Sequence, residues 1–93
     1  MKEVAVTIRS KLNLPLRFRE AVAACELEIH RSTSLSTLHG SHHWHIRKPG
    51  SRGTLEATWL PAEGRFFFSV RDNRNGVWID AALSQLSRLL QTE

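Results

Sequence analysis

The sequence predicts an α+β fold in which two helices cover one face of an antiparallel sheet of four to five strands. Several short segments alternate apolar and polar residues, which is typical of strands with one buried face. Two longer segments repeat apolar residues at helical spacing. Short turns join consecutive strands, which makes those strands antiparallel. The predicted order is β-α-β-β-β-(β)-α, and helices packed on one side of such a sheet form a two-layer sandwich.

The first predicted elements are a strand over residues 3–9 and a helix from Asn13 or Leu14 to about His30. The strand segment alternates apolar and polar positions. Pro15 stands in the first helical turn, where its missing N–H group costs nothing. The apolar stripe of this helix recurs at intervals of four, three and four residues: Phe18, Val22, Cys25 and Ile29.

The second half of the chain predicts a run of strands and a final helix. Residues 32–41 are rich in Ser and Thr and are predicted to form a flexible loop. Three strands joined by turns follow, over residues 43–48, 54–60 and 65–71. Residues 77–79 indicate a short further strand, and Asp80 is the predicted N-cap of the last helix. We expect residues 1–93 to form a single domain.

Composition and charge exclude several classes of protein. The chain has 13 Lys and Arg against 9 Asp and Glu, a net charge of +4. No apolar run reaches the roughly 18 residues of a membrane-spanning helix, and the N-terminal segment lacks the apolar stretch of a secretory signal. The single cysteine, Cys25, excludes an intrachain disulfide and any zinc site that needs two cysteines. We therefore expect a cytoplasmic protein without a membrane partner, in which Cys25 packs as a small hydrophobic residue.

Alternation along the strands sorts their residues between the two faces of the sheet. The predicted core face is apolar throughout: Val4, Val6, Ile8, Trp44, Ile46, Leu55, Ala57, Trp59, Phe66, Phe68 and Val70. The other face has more arginines than carboxylates, with two histidines and one aromatic ring: Glu3, Thr7, Arg9, His43, His45, Arg47, Thr54, Glu56, Thr58, Arg65, Phe67, Ser69 and Arg71. Further cations lie at or near the ends of the hairpin loops: Lys48, Arg52 and Arg74.

This second face predicts a small basic domain that binds RNA or single-stranded DNA without catalysis and without a cofactor. Arginines neutralise phosphates, and a flat ring stacks on a base for about 1–3 kcal/mol. The residues expected to bind nucleic acid are Arg9, His43, His45, Arg47, Lys48, Arg52, Arg65, Phe67, Arg71 and Arg74. Two alternatives stay open: an ordinary solvated sheet face, or the interface of a homodimer or protein-interaction subunit with no enzymatic activity.

Four of the five histidines fall between residues 39 and 45. On a strand, His43 and His45 project to the same side about 7 Å apart, and such a pair can bind Zn, Ni or Cu. A third ligand would come from one of four residues: His30, His39, His42 or Glu56. Because the chain offers no second cysteine, a dedicated metal site is not expected, and His43 and His45 are only weak candidates for one.

A histidine can also act as a general base. The segment Gly40-Ser41-His42, followed by a strand that carries an aromatic residue, resembles the Gly-Ser-His segment of HicA-type toxins. These toxins are small basic ribonucleases with an α-β-β-β-α fold. The resemblance covers three residues and a coarse order of elements. It implies a further alternative, a His-dependent ribonuclease in which His42 is the catalytic residue.

Overall fold

The computed structural model describes residues 2–8, 13–34 and 40–91. The helices and strands in chain order are β1 (Lys2–Val6), α1 (Leu14–Ala24), β2 (Glu28–Thr33), β3 (His42–Arg47), β4 (Leu55–Leu60), β5 (Arg65–Val70) and α2 (Ile79–Gln91). All strand pairs are antiparallel. The spatial order β1-β5-β4-β3-β2 places the first strand beside the last. The predicted α+β class is confirmed, as is the order of elements. Within the described ranges, no helix is both long and apolar enough to span a bilayer.

The first helix is shorter than the sequence predicts. It ends at Ala24 rather than near His30, and the residues that follow form β2. The predicted loop over residues 32–41 therefore overlaps the last two residues of that strand. Its residues 35–39 lie outside the described part of the chain.

Helix α1 ends in a Schellman motif that places a glutamate where glycine is usual. Glu26 has a φ of 59°, in the left-handed region. The N–H groups of Glu26 and Leu27 donate to the carbonyls of Ala23 and Val22, both at 3.0 Å. Leu27 is buried against the core, so the motif both ends the helix and turns the chain into β2.

Two further boundaries differ from the prediction. Residues 77–79 are not a strand: Val77 and Trp78 lie in a turn, and α2 begins at Ile79. Asp80 therefore lies inside the first turn of α2 instead of capping it, where its charge still interacts favourably with the helix dipole. The turn is held by Trp78, whose Nε1–H donates to the carbonyl oxygen of Arg52 at 2.6 Å.

The core lies between the sheet and the two helices, on the face that alternation predicts. Phe18 of α1 stacks on Trp44 with ring centroids 4.4 Å apart, and it lies 5.7 Å from the ring of Phe66. Helix α2 contributes a buried stripe to the same core: Ile79, Ala82, Leu83, Leu86 and Leu90. Because the helices occupy this side, the opposite side of the sheet is left to carry polar side chains.

The register aligns those polar side chains in rows across the sheet. One row runs from β2 to β1 as Arg31, His45, Glu56, Ser69 and Glu3. The next row runs as Thr33, His43, Thr58, Phe67 and Ala5. We call the surface formed by these two rows and the strand residues beside them the polar face.

Replacing Glu26 by glycine is expected to stabilise the protein by about 0.5–1 kcal/mol. A left-handed conformation costs a residue with a Cβ roughly 1–2 kcal/mol. Glycine removes that cost, but it lowers the free energy of unfolding by about 0.4–1 kcal/mol because it gives the unfolded chain more conformational freedom. Urea denaturation measures the free energy of unfolding.

The matched control is Glu26→Ala, which removes the same charge but keeps a Cβ, so no comparable gain is expected from it. A glycine variant no more stable than the alanine variant would show that the backbone at this position is not strained.

Candidate functional site

A buried carboxylate lies near the centre of the polar face. Glu56 belongs to the middle strand of the sheet and is only 3% exposed. Its register neighbours are His45 on β3 and Ser69 on β5. An ionised carboxylate removed from water is unfavourable unless cations or hydrogen-bond donors surround it. The side chains around Glu56 therefore have to supply those partners.

Three side chains approach the two oxygens of Glu56. His43 Nε2 lies 3.0 Å from Oε1, and His45 Nε2 lies 3.7 Å from the same oxygen. Arg71 Nε forms an ion pair with the other oxygen, Oε2, at 3.0 Å. One carboxylate oxygen thus faces a permanent positive charge, and the other faces two imidazole rings.

His43 is oriented by a second contact on the far side of its ring. Its Nδ1 lies 2.8 Å from Oγ1 of Thr58, the residue opposite it in the register. A hydroxyl group either donates or accepts a hydrogen bond. Thr58 can therefore hold the ring in place with the proton on either nitrogen, but the ring also donates a hydrogen bond to Glu56 only when Nε2 carries a proton, because a carboxylate oxygen accepts.

A β-bulge in β2 adds two more side chains to this cluster. The register shifts between Ile29, which pairs with Ile46, and Arg31, which pairs with His45. The ring of His30 lies 5.8 Å from that of His45, so His30 and Arg31 both reach the polar face. In a regular strand, neighbouring residues point to opposite faces, and a bulge changes this locally.

Together these side chains line an open pocket of about 540 Å³. The lining residues are His30, Arg31, Thr33, His43, His45, Glu56, Arg71 and Arg74. Three arginines against one glutamate leave a surplus of positive charge even with every histidine neutral. The volume lies within the roughly 300–1,000 Å³ typical of ligand sites, and the charge favours an anionic ligand.

Burial sets the protonation of one pocket histidine. Desolvation lowers the pKa of His45 from its ordinary value, and the nearby His43, His30 and Arg31 lower it further, while the charge of Glu56 opposes them. His45 is therefore largely neutral near pH 7, with one ring nitrogen free of a proton.

Four residues predicted to bind nucleic acid line the pocket: His43, His45, Arg71 and Arg74. Two predicted phosphate contacts lie outside it and are engaged in ion pairs at the surface. Arg47 pairs with Glu28 at 3.1 Å, and Arg65 pairs with Glu3 at 3.3 Å. These two pairs are exposed, so they oppose ligand binding only weakly.

The remaining predicted residues are spread more widely. Phe67 is half-buried on the polar face, and the guanidinium carbon of Arg65 lies 4.8 Å from its ring centroid. Lys48 and Arg52 are exposed in the segment between β3 and β4, where Arg52 lines a second surface pocket that it shares with Arg74. Arg9 lies outside the described residues, as does His39, one of the predicted metal ligands.

His42 lies on the other side of the sheet from the pocket. Its ring stacks on Trp44 with centroids 5.2 Å apart and planes 5° apart, toward the helices. The catalytic role implied by the resemblance to HicA-type toxins falls on this histidine. The fold separates it from the three histidines that line the pocket.

The sequence predicts no role for Arg31, because this residue lies between the predicted end of a helix near His30 and the predicted loop over residues 32–41. The available signal is weak. Ile29 and Thr33 are β-branched and suit a strand, but the helical spacing of Ile29 with Val22 and Cys25 competes with that interpretation. Glu56 is assigned to the correct face, but alternation does not indicate that it is buried.

Comparisons of the chain with protein-family models, with curated proteins and with solved structures find no match. Function is therefore inferred from the chemistry of the pocket. That chemistry consists of a buried carboxylate, three imidazoles and three guanidinium groups, carried by the sheet and by the turn that follows β5.

Replacing Arg71 by methionine is expected to destabilise the protein by about 1–3 kcal/mol. Methionine keeps an apolar stem of similar length but leaves Oε2 of Glu56 without its cation, and a buried polar group that loses its partner costs about this much. Urea denaturation near pH 7 measures the change in the free energy of unfolding.

Arg74→Met is the matched control for this experiment. Arg74 lines the same pocket and is exposed like Arg71, but it forms no ion pair with the residues described in this structure. We expect its replacement to change stability by less than about 0.5 kcal/mol. Equal losses in the two variants would contradict the role assigned to the ion pair between Arg71 and Glu56.

Proposed function

We propose that the protein binds single-stranded nucleic acid, RNA or DNA, through the polar face, with phosphate groups entering the Glu56 pocket. The observation that supports this is the surplus of cations around a single carboxylate. Arg71 already matches the charge of Glu56. Arg31 and Arg74 form no ion pair with any described residue, so their charges are available to an incoming phosphate.

The positive charge extends beyond the pocket, which favours a polymer over a small anion. Arg47 is the last residue of β3, the strand that carries His43 and His45, and Lys48 follows it. Arg52 shares a surface depression with Arg74. A ligand with regularly spaced phosphates can contact several of these cations at once. Each phosphate neutralised releases counterions, so several contacts together give appreciable affinity.

A surface for base stacking lies beside the pocket. Phe67 is two strands from His43 in the same row, and Arg65 covers its ring. Unpaired bases stack on aromatic rings and also on the flat guanidinium group of arginine. A base of a single strand can therefore stack on the pair formed by Arg65 and Phe67, whereas a base inside a duplex presents no free ring face.

As proposed, the protein is a binding domain and catalyses no reaction. A cytoplasmic location suits this function, and the single cysteine is compatible with a reducing compartment. A homodimer or a protein partner that uses the same face is the competing interpretation, and it predicts no dependence on phosphate.

Fluorescence anisotropy with labelled mixed-sequence RNA and DNA, single- and double-stranded, tests the proposal. If the protein contacts three phosphates of a single strand, its affinity should fall by about 10–20-fold when the salt concentration rises from about 50 to about 200 mM. The double variant Arg31→Gln with Arg74→Gln should bind at least about tenfold more weakly at low salt, for all sequences alike, and should show a shallower salt dependence.

The control is Arg19→Gln with Arg88→Gln, which removes the same charge from exposed positions on α1 and α2. Its affinity should change little. If it weakens binding as much as the pocket variant, the attraction is a property of net charge, and the assignment to the polar face is wrong. If the wild-type protein does not bind at low salt, nucleic-acid binding is excluded, and light scattering would then test for a homodimer.

A further inference from the structure

We propose that His43, His45 and Glu56 bind one divalent cation of the zinc type per chain. One potential ligand atom from each residue lies within 4.8 Å of the others. All three residues line the pocket, so an ion could enter from solvent. The proposed ligands are the imidazoles and the carboxylate, whereas the proposed phosphate contacts are arginines, so the metal site can be tested without nucleic acid.

The spacing of the donor atoms suits a metal with short bonds. Zinc binds imidazole nitrogen and carboxylate oxygen at about 2.0–2.2 Å, which separates neighbouring ligands of a tetrahedral ion by about 3.4 Å. The distances from Oε1 of Glu56 are 3.0 Å to Nε2 of His43 and 3.7 Å to Nε2 of His45. These two values bracket the tetrahedral spacing, so small side-chain movements would seat an ion.

The partners of Glu56 exceed what the carboxylate needs for charge balance. Arg71 holds Oε2 with a permanent charge. The Nε2 atoms of two imidazoles nevertheless converge on Oε1. Two imidazole nitrogens and one carboxylate oxygen are the donor set of a metal site with two histidines and one carboxylate.

In two of the three residues, His43 and Glu56, the polar atom that would not touch the metal is already held. Nδ1 of His43 contacts Thr58 at 2.8 Å, and Oε2 of Glu56 contacts Arg71 at 3.0 Å. Such outer contacts orient the ligands and strengthen metal binding. They leave Nε2 of His43 and Oε1 of Glu56 directed at the proposed ion.

Metal binding requires one rearrangement of protons, which the site can accommodate. A hydrogen bond from Nε2–H of His43 to Oε1 of Glu56 goes with an Nδ1 that accepts from the hydroxyl of Thr58. With metal, Nε2 offers its lone pair to the ion and the ring proton resides on Nδ1, which donates to Thr58, so the hydroxyl reverses its role. Three protein ligands leave an open coordination position toward the pocket.

Isothermal titration calorimetry of the untagged, chelator-treated protein with Zn²⁺ tests the site. We expect one ion per chain. His45→Gln and Glu56→Gln should each bind at least about tenfold more weakly, since loss of a ligand weakens binding more than loss of an outer contact does. Co²⁺ in place of Zn²⁺ should give the visible absorption of a four-coordinate ion, and the two variants should lose that absorption.

His42→Gln is the control, because His42 is the adjacent residue of the same type and faces Trp44 instead of the pocket. Its affinity for Zn²⁺ should equal that of the wild type. Circular dichroism checks that each variant is folded. If a pocket variant does not fold, the imidazole ¹⁵N resonances of the wild-type protein decide, since Zn²⁺ should shift those of His43 and His45 and leave that of His42 unchanged.

Three results would overturn the proposal. One is the absence of Zn²⁺ binding. Another is equal loss of binding in His42→Gln and the pocket variants, which would show adventitious binding by surface histidines. The third is a shift of the His42 or His30 resonance without those of His43 and His45. None of these results would alter the salt-sensitive binding of nucleic acid, so the two proposals can fail separately.

Discussion

The burial of the Glu56 carboxylate on the middle strand of the sheet constrains the whole polar face. A charge at 3% exposure must be matched by its neighbours, and this requirement accounts for the positions of His43, His45 and Arg71. These three side chains in turn form part of the pocket wall.

Much of the fold follows from the period of the sequence. The two-residue period in β3, β4 and β5 assigns Trp44, Ala57 and Phe68 to the core, and the structure buries all three. The end of α1 does not follow, because it depends on one left-handed residue. No glycine or asparagine occurs from residue 14 to residue 31, so nothing in the residue types marks Glu26 as the end of the helix. The burial of Leu27 in the core accompanies the end of α1, and such packing cannot be predicted from the spacing of apolar residues.

Only part of the Glu56 pocket can be predicted from the sequence. Alternation places His43, His45 and Glu56 on one face, and the structure agrees. It does not indicate how deeply a charged residue is buried or which cations turn toward it. The contribution of β2 lies further out of reach, because the bulge next to Ile29 breaks the alternation on which the assignment of faces depends. The sequence does not predict β2, and the strand is irregular, so the position of His30 and Arg31 on the polar face cannot be predicted.

The same bulge has a consequence for how the chain behaves among its own copies. β2 lies at one edge of the sheet, and an edge strand with a regular backbone is a template onto which another chain can add a strand. An irregular edge that carries arginine and histidine is a poor template. The distortion that brings His30 and Arg31 to the pocket therefore also makes this edge a poor site for strand addition by another copy, and a substitution that straightened β2 would change the pocket wall and expose a regular edge at the same time.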